Sequence, residues 1–185
     1  GNDFLPHFPS CNIRTGGIEK LLQAYTETIG STNDVLTDGH TIYWNNVRKI
    51  VEYMAIKEEK NFHIEHMKRD RRQKQFTRQY DSPTLTNEEK LEQLNISPQI
   101  NRQIEKKINP FRMQWQKRYY QHLFPKQYSI PSICQNYMEG LEWTMKYYTS
   151  GCVDWRWRYK YNYPPLLQDL IKHIPVFNTE FVVEK

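Results

Sequence analysis

The chain has 185 residues, a net charge of +5, and a composition that is 38% hydrophobic and 14% aromatic. It is long enough for one domain with a real core, has no apolar run that could span a membrane, and is basic enough to accept a polyanionic partner without requiring one. Its three cysteines, Cys11, Cys134 and Cys152, are widely spaced and form no CxxC or Cys/His pattern, which argues against a zinc site or a disulfide framework and for a reducing intracellular compartment, cytoplasm or nucleus.

The chain opens GNDFLPHFPS. Gly1, Asn2 and Asp3 read as a tight turn in which glycine permits close backbone approach and Asp3 offers a hard oxygen ligand for a cation such as Mg²⁺; the same residues also read as an ordinary turn or helix cap. Phe4, Leu5 and Phe8 are candidate anchors. Over Ile18–Ile29 the apolar residues Ile18, Leu21, Leu22, Tyr25 and Ile29 share a helical face, with Gly30 at the position of a C-terminal cap. Asp38-Gly39 marks a turn. A second helix carries Val47, Ile50, Val51 and Met54, capped by Asn45, and is expected to run on through a charged stretch to about Gln75. His63 and His66 lie three apart in it but lack a third ligand at a useful spacing. The basic cluster from Lys68 to Arg78 reads as a solvated face or as a brace for RNA.

Residues 80–95 are polar and read as a loop or insertion, with a short helix near Asn87–Leu94. Ile100, Ile104 and Ile108 suggest one short helix from Ser97-Pro98 to Pro110. Gln114–Leu123 is amphipathic through Trp115, Tyr119 and Leu123. Ser132–Tyr148 is the most regular helix, with Cys134, Tyr137, Met138, Leu141, Met145 and Tyr148 on one stripe. Gly140 inside it costs about 1 kcal/mol relative to alanine and points to a close crossing. Leu167, Leu170, Ile171 and Ile174 mark a last helix, and Phe177–Lys185 an extended tail.

Between those two helices every second residue is aromatic: Trp155, Trp157, Tyr159, Tyr161 and Tyr163, with Arg156, Arg158 and Lys160 interleaved. An extended backbone would turn the aromatics to one face and the cations to the other. Such a surface can stack on unpaired bases while neutralising phosphates; equally, the aromatics can be core and the cations a solvated edge.

The segment ICQNYMEGLEWTMKYYTSGCVDWRWRYKYNYPP (residues 133–165) and the opening GNDFLPH together resemble two signature blocks of the XRN family of 5′→3′ exoribonucleases. WQKRYY resembles the element that precedes the second block. The resemblance implies a mainly α, irregular multi-helix fold with long loops: residues 1–185 as a single helical domain, with a charged helix and insertion at about 57–112. It implies part of a nuclease that degrades single-stranded RNA bearing a 5′-monophosphate by two-metal hydrolysis. Asp3 would match one metal-binding, catalytic carboxylate, and Trp155 or Trp157 the tryptophan that stacks on an entering base. Arg156, Arg158, Lys160 and Tyr161 complete the RNA-binding candidates. Mg²⁺ or Mn²⁺ is the implied cofactor, with most ligands in an N-terminal nuclease domain of the same polypeptide, so the piece alone is expected to be inactive. Lys160 and Asn162 depart from the family's usual proline and histidine. The alternative is a non-catalytic helical RNA-binding or scaffolding module, for which Asp3 would be dispensable.

Overall fold

The computed structural model describes residues 2–81, 84–100 and 102–182, those at 98–100 by their backbone alone. Gly1 of the opening turn, Pro83 of the polar loop and the last three residues of the tail lie outside the described residues. Eight α-helices are present among the described residues, and no strand, so the chain is mainly helical, as the sequence indicates. In order they are α1 (Gly17–Thr28), α2 (Trp44–Ile56), α3 (Glu58–Tyr80), α4 (Asn87–Ile100), α5 (Gln103–Lys106), α6 (Trp115–Leu123), α7 (Ile130–Ser150) and α8 (Leu167–Leu170).

α7 is the central element. Pro131 stands in its first turn, where a missing N–H costs nothing, and it buries residues on several sides, including Ile133, Cys134, Tyr137, Met138 and Trp143. One apolar cluster joins it to α1, α2 and α8 through Ala24, Ile29, Trp44, Val51, Met54, Leu167 and Leu170. A second joins Ile133 to Ile108, Trp115, Tyr119, Tyr120, Phe124 and Leu166. The C-terminal segment is held by polar and aromatic contacts: buried Glu142 accepts hydrogen bonds from the Phe181 and Val182 amides at 2.8 and 3.3 Å, Lys146 donates to the Val182 carbonyl at 2.6 Å, the Trp44 indole donates to Thr179, and Phe181 sets its ring edge-on to Trp44.

Four sequence expectations change. Asn45 does not cap the second helix: α2 starts at Trp44, with Tyr43 at the cap position and no side-chain cap, so Asn45 lies inside its first turn. The helix carrying Val47–Met54 does not run on unbroken: it stops at Ile56, and α3 begins at Glu58 after a turn at Lys57. The break delivers the buried Glu58 carboxylate to the amides of Leu167 and Gln168, at 2.6 and 3.2 Å, at the start of α8. Ile100, Ile104 and Ile108 do not share one helix; α4 ends at Ile100 and α5 is a separate turn, because Arg102 is drawn inward to Asp70 and Glu105. Finally, α1 does not bury its apolar stripe. Ala24 and Ile29 are inside, whereas Ile18, Leu21, Leu22 and Tyr25 are exposed. Gly17 presses its Cα onto the backbone of Cys11, where a Cβ would come within 2.0 Å of the carbonyl oxygen; that contact sets the small-residue side of α1 against the protein.

Candidate nucleic-acid interface

The opening turn is built by its own side chains. Asn2 Oδ1 accepts from the amides of Phe4 and Leu5, both at 2.9 Å, which leaves Asp3 at the tip, exposed. Phe4 sets its ring edge-on to Trp143 and Tyr147 of α7, with centroids 5.0 and 4.9 Å apart. Leu5 is buried, and Tyr137 donates its hydroxyl proton to the Pro6 carbonyl at 2.7 Å. The Phe and Leu anchors anticipated from sequence therefore fix Asp3 to α7. His7 faces inward: its Nδ1 lies 2.7 Å from the Phe8 carbonyl and so carries the proton.

The aromatic run is tied to the same helix. Trp143 donates its indole N–H to the Asp154 carbonyl at 3.0 Å, and Asn136 accepts from the Lys160 amide at 2.9 Å. From Trp157 onward the alternation expected of an extended chain appears: Trp157, Tyr159, Tyr161 and Tyr163 are half-buried, while Arg158, Lys160 and Asn162 are exposed. Trp157 stacks on Trp143 at 5.2 Å, Tyr159 meets Tyr137 edge-on and donates to the Tyr163 carbonyl, and Tyr161 packs on Phe124. The inward aromatics are thus engaged with protein. Trp155 is not among them. Asp154 makes an Asx turn, its carboxylate accepting from the Arg156 amide at 2.8 Å, and this bend throws the Trp155 ring outward, 86% exposed. Arg156 beside it is also exposed.

The two predicted regions meet at one indole. Phe4 and Asp154, the chain neighbours of Asp3 and Trp155, both contact Trp143. Arg118 takes no part in this surface: its guanidinium donates to the carbonyls of Ile108, Asn109, Arg112 and Met113 at 2.7 to 3.1 Å and so shapes the loop before α6.

Beneath the far end of the aromatic run lies a cavity of about 250 Å³, bounded by His7, Ser10, Phe62, Arg69, Arg102 and Tyr163, among others. Its charged wall is internally paired. Buried Arg102 bridges Asp70 and Glu105 at 3.1 and 3.0 Å, and Arg69 reaches Glu105 at 2.6 Å. His66 Nδ1 lies 3.2 Å from the Arg102 guanidinium and accepts from it; burial, and then Arg102, lower its pKa, so the ring is neutral at pH 7. Sequence periodicity gave no signal for Arg102, which sits in a polar stretch, nor for Glu142 and Asn136, whose partners are backbone amides far along the chain.

A divalent cation does not fit the described residues alone. Asp3 is an exposed carboxylate, and no group of three His, Cys, Asp or Glu side chains among the described residues is placed to hold a metal. Nor is any described helix long and apolar enough to cross a membrane.

The family profile described as "Xrn1 helical domain" matches residues 1–114 and 87–183. The chain is 27% identical to the 5'-3' exoribonuclease 2 of Gallus gallus, over 91% of this chain and 24% of the relative. It is 24% identical to the 5'-3' exoribonuclease 2 homolog of Drosophila melanogaster, over 92% of this chain and 23% of the relative. The Arabidopsis thaliana 5'-3' exoribonuclease 2 is 23% identical, over 92% and 24%. The chain thus spans about a quarter of the length of these curated relatives.

Proposed function

Starting from the premise that the chain belongs to the Xrn1 helical-domain family, we propose that it works as the helical module of a 5′→3′ exoribonuclease acting on single-stranded RNA with a 5′-monophosphate. The observation that carries this reading is the joint at Trp143: one buried indole holds the neighbours of both Asp3 and Trp155, so a candidate carboxylate and a candidate stacking ring are fixed to one rigid helix. In this reading Trp155 stacks on an unpaired base, and Arg156, Arg158 and Lys160 neutralise the adjoining phosphates. Duplex RNA, whose bases are already stacked, is excluded. Trp157 and Tyr161 support the surface from beneath rather than touching RNA. Asp3 contributes one oxygen ligand to a Mg²⁺ or Mn²⁺ site whose remaining carboxylates come from an N-terminal nuclease domain of the same polypeptide.

Docking of that domain is supported by the unburied side of α1. Ile18 and Leu21 are exposed there and border an open groove, also lined by Asn2, Leu5, Leu141 and Met145, beside the Asp3 turn. An apolar face of this kind, next to a lone carboxylate, suits a partner that brings further carboxylates.

The test is RNA binding and hydrolysis by the polypeptide that contains the chain together with its nuclease domain. Trp155→Ala should weaken binding of a 5′-phosphorylated single strand by about 1–3 kcal/mol. Asp3→Asn should abolish nucleotide release while leaving binding of that strand in place. If Asp3→Asn leaves hydrolysis unchanged, the catalytic part of the reading fails and a non-catalytic binding module remains.

A further inference from the structure

The charge of this chain is concentrated on one helix segment. Residues 68–78 of α3 hold six cations, Lys68, Arg69, Arg71, Arg72, Lys74 and Arg78, and one anion, Asp70. Six less one is +5, equal to the net charge of the whole chain; the rest of the molecule balances to zero.

The fold sorts these charges. Arg69 and Asp70 turn inward and are neutralised in the network with Glu105 and Arg102. Gln73, Phe76 and Tyr80 continue the inward row. On the opposite side, Lys68, Arg71, Arg72, Gln75, Arg78 and Gln79 recur at i, i+3, i+4, i+7, i+10 and i+11, the spacing of a single helical face, and Lys74 borders it. All of these are exposed. Arg71, Arg72, Lys74 and Arg78 have no ion-pair partner among the described residues, and Lys68 spends only one donor, on the Thr15 carbonyl. No carboxylate of α3 interrupts the face; Glu92 of α4 lines the groove at its Arg72–Gln79 edge. Its inner end is braced by buried Arg102 and His66, so the cations are presented on a fixed rod. From Lys68 to Gln79 the helix rises about 17 Å, which a stacked single strand covers in about five nucleotides at roughly 3.4 Å each.

The face is also connected to the aromatic run. Arg72, Gln75 and Gln79 line an open groove of about 750 Å³, and this groove shares Asn12, Arg69 and Arg102 with the cavity reached by Asn162 and Tyr163. We propose that the Lys68–Gln79 face of α3 is a second polynucleotide-binding surface, a phosphate track for the stretch of single-stranded RNA lying beyond the base held at Trp155. Arginine and lysine provide the phosphate contacts, Gln75 and Gln79 the hydrogen bonds, and no base is read. The inference rests on the reading of the chain as an RNA-handling module, but it predicts a separate behaviour: dependence on strand length and on salt.

The experiment compares the full chain with a quadruple variant, Arg71→Gln, Arg72→Gln, Lys74→Gln and Arg78→Gln, and with Trp155→Ala. Each binds unstructured oligouridylate of about 4 or about 30 nucleotides over a salt series, with circular dichroism to confirm the helix content. For the long strand, removal of four phosphate contacts should make the slope of log affinity against log salt shallower by roughly 3; the short strand should bind the quadruple variant nearly as well as the wild type. Trp155→Ala should weaken both strands and leave the slope alone. An unchanged slope for the long strand in the folded quadruple variant would overturn the phosphate track while leaving Trp155 standing. Loss in the quadruple variant of binding to anionic lipid vesicles or polyglutamate, with RNA binding intact, would overturn it in favour of another acidic partner.

Discussion

Leu5 and Trp157 close over the same point of α7 from two distant parts of the chain. A Cβ built on Gly140 would lie 2.6 Å from Leu5 Cδ1 and 2.8 Å from Trp157 Cη2. This glycine is needed because two other side chains occupy the space, not because its backbone is unusual; its φ is that of an ordinary helix. The opening turn and the aromatic run are therefore in register with each other only while position 140 lacks a side chain.

Gly140→Ala pits a gain against a loss. Alanine is the better helix former by about 1 kcal/mol, but its methyl must displace an indole already stacked on Trp143. Overpacking of this kind costs about 1–3 kcal/mol, and the rigid ring leaves little room for relaxation. With the overpacking cost at the upper end of that range, the variant should be less stable than the wild type by up to about 2 kcal/mol in urea unfolding. A variant of equal or greater stability would show that Leu5 and Trp157 can shift freely.

The two tryptophans of the WxW pair should separate cleanly. Trp157 packs against Trp143 and over Gly140 but is only half-buried, so Trp157→Ala should cost about 3 kcal/mol of stability, the low end for a large core aromatic. Trp155 is exposed, so Trp155→Ala should stay within about 0.5 kcal/mol of the wild type. Urea midpoints measured on both variants check this; equal losses would mean that the Asp154 turn does not hold Trp155 away from the protein.

This pair also marks how far the sequence could be read. Alternation correctly separates inward aromatics from outward cations between Trp157 and Tyr163, because that stretch is extended. It fails at Trp155 because Asp154 uses its carboxylate to bend the chain one residue earlier, a local hydrogen bond that periodicity does not register. α7 was legible as a helix and over the first part of its apolar stripe, where Cys134, Tyr137 and Met138 are buried, whereas Tyr148 at the end of the stripe is exposed. α1 has an equally good stripe, yet most of it faces outward: a helical pattern says which residues seek an apolar partner, not whether this chain contains it. Glu58, Asn136, Glu142 and Arg102 were invisible for a different reason. Each is polar, and its role depends on groups brought from far along the chain.

Arg118 offers a test of structure against RNA contact. Four carbonyls converge on its guanidinium, a planar fork that an ammonium group cannot reproduce. Both Arg118→Ala and Arg118→Lys should therefore destabilise the fold, the alanine variant by about 2–3 kcal/mol. Among molecules that remain folded, the affinity for single-stranded RNA should be unchanged. Full stability in Arg118→Lys would show that positive charge, rather than the fork, is what the loop requires.

Glu58 gives the chain a defined pH response. It is 1% exposed and has no ion-pair partner among the described residues. Burial raises its pKa from 4.5 to about 7, outweighing the opposite pull of the Leu167 and Gln168 amides. The folded state thus keeps a proton that the unfolded chain releases near pH 4.5. Below that pH both states are protonated; between 4.5 and about 7 only the folded state is, so stability falls as pH rises, and above about 7 the curve flattens again. The full swing is on the order of 3 kcal/mol. Urea midpoints taken from pH 5 to pH 8 on the wild type and on Glu58→Gln should show this decline in the first and a markedly smaller one in the second. Parallel curves would mean that the carboxylate is ionised in the folded protein throughout, held by the two amides at the start of α8 rather than neutralised by its surroundings.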